Sequence, residues 1–109
     1  MFNKARPWVK RIYEVSRCHD FGRDYSLRDQ VRRAATSVLL NIAEGFERGN
    51  RKEFRHFVEI AKASCGEVRA GLLIAYDIGY LSKDVFEALS ADGEELCRML
   101  GGLRKALAC

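Results

Sequence analysis

The sequence predicts an all-α protein, an antiparallel four-helix bundle with up-down-up-down topology. Three observations lead to this class: apolar residues recur at helical spacing along most of the chain, there is a single proline, and no alternating strand pattern of useful length occurs. A hydrophobic fraction of 48% in 109 residues is sufficient for one core. We therefore expect one domain, residues 1–109, with helices near 7–19, 27–48, 51–78 and 83–107.

The first helix is predicted to begin at or near Pro7, because proline is tolerated in the first turn, where its missing N–H is not needed. It is expected to end near His19, with Trp8 and Ile12 on its buried side. The segment 20–25 contains a glycine and reads as a loop.

The second helix is predicted to be capped by Ser26, with Asp29 placed as in a capping box, and to end at Gly49. Its apolar residues share one side at about 100° per residue. They are Leu27, Val31, Ala34, Ala35, Val38, Ile42 and Phe46. Asn41 and Glu44 lie on a polar line beside this stripe, and we expect them to form hydrogen bonds between helices or subunits, because polar groups next to a core need partners.

The third helix, capped by Asn50 and ended by Gly79, is the longest predicted element, and two of its sides are apolar. One side belongs to the core of its own bundle. The second stripe consists of Ile60, Ser64, Gly71, Ile74 and Ile78, with Glu67 among them. Since one bundle cannot cover both sides, the second stripe predicts contact with another subunit, in which Glu67 would be paired.

Ser82 is predicted to cap the fourth helix, in which leucines recur at core spacing up to Leu107. The links between predicted helices are short, and short links favour antiparallel neighbours. Both features agree with the bundle topology.

Positive charge is concentrated in the N-terminal half, where residues 1–55 hold 13 Lys or Arg against 7 Asp or Glu, while residues 56–109 hold 6 against 8. A basic cluster is expected to face solvent around the second connection and along the second helix. It consists of Arg28, Arg32, Arg48, Arg51, Lys52 and Arg55. Arginine forks suit phosphate, so the cluster predicts binding of RNA or DNA. Interleaved glutamates and ordinary solubility charge are the alternative explanation.

No catalytic or metal signature is present in the sequence. Glu53 and His56 form the Glu-x-x-His spacing of di-iron bundles, but the motif occurs once, whereas those sites need it on two helices. The four cysteines form no C-x-x-C pair. We expect a protein that is not an enzyme and has no cofactor, metal or small-molecule substrate. The start lacks a secretory signal and no apolar run reaches the roughly 20 residues of a membrane span, which predicts a cytoplasmic location.

Three segments carry a resemblance to a known family. They are QVRRAATSVLLNIAEG at 30–45, FERGNRKEFRHFVEIAKAS at 46–64 and DIGYLS at 77–82. The chain resembles the bacterial four-helix bundle proteins first noticed as intervening sequences in 23S ribosomal RNA genes. Asn-Ile-Ala-Glu-Gly at 41–45 is the most specific piece, and Ala63 stands where the family more often has glycine.

The resemblance implies a homo-oligomer, a pentameric ring of bundles, related to the accessory proteins of diversity-generating retroelements. Those relatives are basic pentamers that bind nucleic acid and a reverse transcriptase. Most members of the family have no assigned activity. Two functions follow as expectations: nucleic-acid binding through the basic cluster, or a protein-interaction scaffold, such as an accessory subunit of a reverse transcriptase, that does not bind nucleic acid itself.

Overall fold

The computed structural model describes residues 1–108, which fold into five α-helices without a strand, so the all-α class is confirmed. The helices are α1 (Phe2–Val15), α2 (His19–Arg23), α3 (Tyr25–Glu47), α4 (Arg51–Ile78) and α5 (Lys83–Leu107). The four long helices contact one another in a cycle, with α3 between α1 and α4, and α5 between α4 and α1. The result is an elongated body of 45 × 21 × 20 Å.

The predicted start of the first helix is wrong, because α1 begins at Phe2 and contains Pro7 in its second turn. A proline nitrogen cannot donate a hydrogen bond, so the carbonyl of Asn3, four residues earlier, loses its helical partner. Asn3 is exposed, and solvent can satisfy that carbonyl. The preceding turn is retained because Phe2 packs against the core and Ala5 is fully buried.

The predicted loop at 20–25 is also wrong, because most of it forms the short helix α2. Phe21 is fully buried and stacks on Tyr80 with ring centroids 5.6 Å apart. A side chain at Gly22 would lie 2.5 Å from the carbonyl oxygen of Arg17, so the glycine allows the chain to turn tightly after α1. Burial of one aromatic ring thus orders a segment with too few residues to show helical periodicity.

Asp24, not Ser26, caps α3. One carboxylate oxygen of Asp24 accepts from the backbone N–H of Leu27 at 3.1 Å, and the other accepts from the Tyr80 hydroxyl at 2.9 Å. This hydrogen bond raises the pKa of Tyr80. Gly49 does not end the helix either: α3 stops at Glu47, and extended backbone at Arg48 replaces the expected glycine turn.

The ends of α4 and α5 lie where the sequence places them. The Asn50 side chain accepts from the backbone N–H of Glu53 at 2.9 Å, and Ser82 accepts from that of Val85 at 3.3 Å. Gly79 ends α4 with φ of 97°, a left-handed conformation that favours glycine.

Trp8 links α1 to α5 in the centre of the core. Its ring is 1% exposed, and its Nε1–H donates to the carbonyl oxygen of Leu89 at 3.0 Å. A side chain at Gly93 would lie 2.8 Å from the Trp8 ring. The absence of a side chain at Gly93 therefore lets α5 approach the indole closely.

Candidate nucleic-acid interface

A groove between α4 and α5 gathers five basic side chains and a single carboxylate. Its lining consists of Lys62, Arg69, Glu94, Cys97, Arg98, Gly101, Gly102, Arg104 and Lys105. We call this surface the basic groove; its volume is about 680 Å³. Five cations against one carboxylate give a net charge of +4, which equals the formal net charge of the whole chain.

Packing of α5 on α4 brings these cations together from distant parts of the sequence. A side chain at Gly93 would lie 3.2 Å from Arg69 Cγ, and one at Gly101 would lie 3.4 Å from Lys62 Cε. The two helices are therefore antiparallel, with Gly93 beside Arg69 and Gly101 beside Lys62. Lys62 and Arg69 are two turns apart on one side of α4, about 10 Å along its axis.

Most of these cations are not paired with a carboxylate of the described residues, so their charge is available to a ligand. Within residues 1–108 only Arg98 has a carboxylate within 4.0 Å, an exposed contact of 3.1 Å to Glu94. Arg104 and Lys105 lie in the last turn of α5, where cations interact favourably with the helix dipole. Lys62 and Arg69 lie in the middle of α4, where the helix dipole does not stabilise a positive charge.

Two carboxylates of α5, which a count along the sequence would set against these cations, lie on a different side of the helix. Asp92 and Glu95 lie near α1, where their oxygens are 3.1 Å and 2.9 Å from Lys4 Nζ. Hydrogen bonds to Glu95 and then Asp92 raise the pKa of Lys4. Two of the three carboxylates in the middle of α5 thus face α1, and only Glu94 lines the basic groove.

The predicted basic cluster is largely engaged within the subunit, and the two arginines of α3 do not form an exposed stripe. Arg28 Nε donates to Asp29 at 2.9 Å, and its Nη1 donates to the Gly22 carbonyl at 3.0 Å. Arg32 donates to the Ser16 hydroxyl at 2.8 Å and to the Tyr13 carbonyl at 3.1 Å. Both side chains are half-buried because they tie α3 to the turn after α1 and to α2.

The remaining members of the cluster lie near the α3–α4 connection. Arg48 contacts Glu44 at 2.9 Å, and Arg55 contacts Glu59 at 3.3 Å. Arg51 Nη2 donates to the Ala106 carbonyl at 2.6 Å and so binds the end of α5. Lys52 is exposed and has no carboxylate within 4.0 Å in the described part of the chain. Five of the six side chains are therefore held by neighbours in the same subunit, and the charges of Arg28, Arg48 and Arg55 are offset by carboxylates.

An apolar face lies on the outside of α3 and α4. Leu40, Ile74 and Ile78 are 66%, 48% and 55% exposed, and Ile60 is half-buried. Gly71 lies deeper than these side chains but adjoins the face, because it lines one small cavity with Glu67 and Ile74. It is buried, and a side chain there would lie 2.5 Å from Val31 Cγ2 of the same subunit.

Inside the subunit, Asn41 and Glu44 bond within α3 and its C-terminal cap, and the predicted bonds between subunits stay a prediction. Asn41 Nδ2 donates to the Ser37 carbonyl at 2.8 Å within α3, and Glu44 is exposed and pairs with Arg48. Glu67 is exposed on the outer face of α4. Within the subunit the polar link between α3 and α4 is instead the 2.8 Å contact of the Ser37 and Ser64 hydroxyls, which the sequence reading missed.

Chemistry other than binding would need a reactive group, such as a metal-ligand cluster or an activated thiol. In residues 1–108 no three His, Cys, Asp or Glu side chains converge as metal ligands. Burial raises the pKa of the Cys65 thiol, which donates to the Gly93 carbonyl at 3.4 Å, so it is a poor nucleophile at neutral pH. Within the same range, no helix combines the length and apolar character that crossing a bilayer requires.

Comparison with known proteins agrees with the helical fold. The chain is similar to a crystal structure from Bacteroides thetaiotaomicron VPI-5482, described as a protein with unknown function from the S23 ribosomal protein family. The TM-score is 0.87 at 21% identity, covering 95% of this chain and 97% of that one, a likeness that concerns the fold alone. No curated protein matches the sequence. The family model described as 23S rRNA-intervening sequence protein matches residues 1–102, and the chain therefore belongs to that family.

Proposed function

We propose that this chain is a non-enzymatic, homo-oligomeric nucleic-acid-binding protein whose binding surface is the basic groove. The observation that carries this proposal is the gathering of five cations and one carboxylate between α4 and α5. Guanidinium forks and ammonium groups neutralise phosphates and release counterions, which supplies most of the affinity in sequence-independent binding. The groove replaces the cluster inferred from sequence, because most of that cluster is held by neighbours in the same subunit.

Oligomerisation would strengthen the attraction for a polyanion. On α4 the basic groove and the exposed isoleucines lie on different sides of the helix, roughly a quarter turn or more apart at about 100° per residue. A second copy could therefore cover the apolar face without blocking the groove. In the ring of five that the family resemblance implies, each subunit would add its own net +4, and the field would grow with each copy.

The groove is tested by the double variant Lys62→Gln and Arg69→Gln, in which each new side chain keeps an aliphatic stem. We expect binding of a short nucleic acid to weaken, and the slope of log K against log salt concentration to fall by about 0.9 for each duplex phosphate that the variant no longer neutralises. The control is Lys52→Gln and Arg55→Gln, which removes the same charge from the predicted cluster. Binding titrations over a series of salt concentrations measure both slopes.

Two results would contradict this assignment. A fall in slope for the control pair and an unchanged slope for the groove pair would move the surface back to the predicted cluster. Absence of any binding at low salt would reject the nucleic-acid function.

The oligomer is tested by Ile74→Glu, with Leu73→Glu as its matched control. The two residues are adjacent and both 48% exposed, but they point to different sides of α4. We expect the wild type and Leu73→Glu to form the same assembly, of five subunits if the family resemblance holds. Ile74→Glu is expected to dissociate it, because a charge would be buried at the interface without a partner. Light scattering after size exclusion measures the masses, and a monomeric wild type would contradict the proposal.

A protein-interaction scaffold is the second candidate, favoured by an exposed aromatic side chain at one end of the bundle. Phe46 is 57% exposed and lies 4.8 Å from Phe54 and 6.4 Å from Phe2, measured between ring centroids. Aromatic side chains on a surface are typical anchors for protein partners. This function predicts capture of a particular protein, such as a reverse transcriptase, that survives moderate salt and occurs without nucleic acid.

A further inference from the structure

The lining of the basic groove narrows the class of polyanion that fits it. Among the described residues, the lining holds five cations, Glu94, one thiol and two glycines, with no aromatic ring and no side-chain amide. Proteins that hold single strands stack unpaired bases on aromatic side chains. Asn and Gln, which read adenine edges, are absent from the lining. Arg and Lys read guanine edges from an element that enters the major groove, whereas these cations line a groove of the protein itself. The groove therefore provides contacts for a phosphate backbone and lacks a stacking surface for unpaired bases.

Gly102 leaves the lining of the groove open at one point of α5; Gly66 of α4 also meets nothing within 4 Å, but it does not line the groove. Glycine destabilises a helix interior relative to alanine, so a glycine within α5 calls for a packing reason. A side chain at Gly101 would contact Lys62, but one at Gly102 would meet nothing within 4 Å. Packing inside the protein therefore does not require Gly102. The missing side chain exposes the backbone of α5 on the lining of the groove, between Arg98 and Lys105.

We propose that the basic groove binds the sugar-phosphate backbone of a nucleic-acid duplex, seated against α5 at Gly102, without reading the base sequence. This inference rests on the proposed function and names its ligand. Cations line both walls of the groove, and the two on α4 span about 10 Å along the helix, or roughly three phosphate steps at about 3.4 Å per strand. Phosphate contacts of this kind position a duplex but carry no sequence information.

The experiment compares the wild type with Gly102→Leu, Gly102→Ala and a control, Ala91→Leu. Ala91 lies on the same side of α5 three turns earlier, and it does not line the basic groove. The probes are duplex DNA and duplex RNA of two unrelated sequences, the corresponding single strands, and inorganic polyphosphate. Fluorescence anisotropy or competition at low salt gives the affinities, and thermal unfolding gives the Tm of each variant.

We expect the wild type to bind duplexes more tightly than single strands and to bind the two sequences equally. Gly102→Leu is expected to lose duplex affinity severalfold while its Tm stays equal or rises, because leucine favours helix over glycine. Gly102→Ala should show a smaller loss, and Ala91→Leu should bind like the wild type. The DNA and RNA arms show which duplex is preferred.

Each opposing result has a distinct meaning. If the wild type binds no nucleic acid, whether or not it binds polyphosphate, the proposed function fails and the inference fails with it. A clear preference for one of the two duplex sequences overturns the inference alone. If single strands bind as tightly as duplexes, or if Gly102→Leu keeps full duplex affinity, the inference is overturned while the proposed function stands.

Discussion

Replacement of Trp8 with alanine is expected to lower the free energy of unfolding by about 4 kcal/mol, within the range for large aromatic residues in a core. The ring is 1% exposed, and the space that it leaves lies against a glycine, Gly93, which has no side chain to fill it. The variant also loses the hydrogen bond from Nε1 to the Leu89 carbonyl. A loss of this size is a large part of the roughly 5–15 kcal/mol that stabilises a typical domain.

Trp8→Phe serves as the control, because it keeps most of the aromatic volume and removes the indole N–H. We expect it to cost about 1–3 kcal/mol, since it deletes one hydrogen bond and leaves a smaller space. Urea unfolding followed by circular dichroism measures both variants, at one protein concentration because assembly affects apparent stability. Equal costs for the two substitutions would show that the indole ring is not the central contact between α1 and α5.

Gly71→Leu is expected to cost about 3 kcal/mol, because overfilling a packed contact forces side chains and backbone to move. Even the first carbon of the new side chain would lie 2.5 Å from Val31 Cγ2, so the buried Val31 side chain must leave its rotamer or α3 and α4 must separate. The same urea titration measures the loss. Combining Gly71→Leu with Val31→Ala should recover part of it, because the smaller alanine leaves room for the leucine.

Gly66→Leu is the matched control on the same helix. A side chain at Gly66 would meet nothing within 4 Å, so this variant should be as stable as the wild type or more stable, given the higher helix propensity of leucine. Strict additivity of Gly71→Leu and Val31→Ala would mean that the two positions do not limit the approach of α3 to α4.

Local sequence signals predicted the helix ends that depend on a single residue. Asn50 and Ser82 cap their helices, and Gly79 ends α4 in a left-handed conformation. The same reasoning failed at the start of α3, where two cap candidates lie close together. Ser26 has the capping-box spacing, but Asp24 caps the helix and also accepts a hydrogen bond from Tyr80, fifty-six residues away. A contact between residues distant in sequence determines where α3 starts, and the local sequence does not reveal such a contact.

The basic groove could not be found by counting charges along the chain. Residues 56–109 hold 6 basic and 8 acidic residues, yet five of those six basic residues line one groove. The relative register of α4 and α5, set by glycines at the helix contact, brings the cations together. One sequence signal was available: Lys62 and Arg69, like Arg98 and Lys105, are seven residues apart and so share a side of their helix.

The close contact of α5 with Trp8 at Gly93 has a consequence for a neighbouring residue of the basic groove. The space that a side chain at Gly93 would occupy is bounded by the Trp8 ring at 2.8 Å and by Cγ of Arg69 at 3.2 Å. The aliphatic stem of Arg69 is therefore braced against the core while its guanidinium lines the groove. A preorganised stem gives up less rotational freedom when the guanidinium meets a phosphate than a freely moving one does. In the proposed complex, the packing of an interior indole would therefore lower the entropic cost of placing Arg69 on a phosphate.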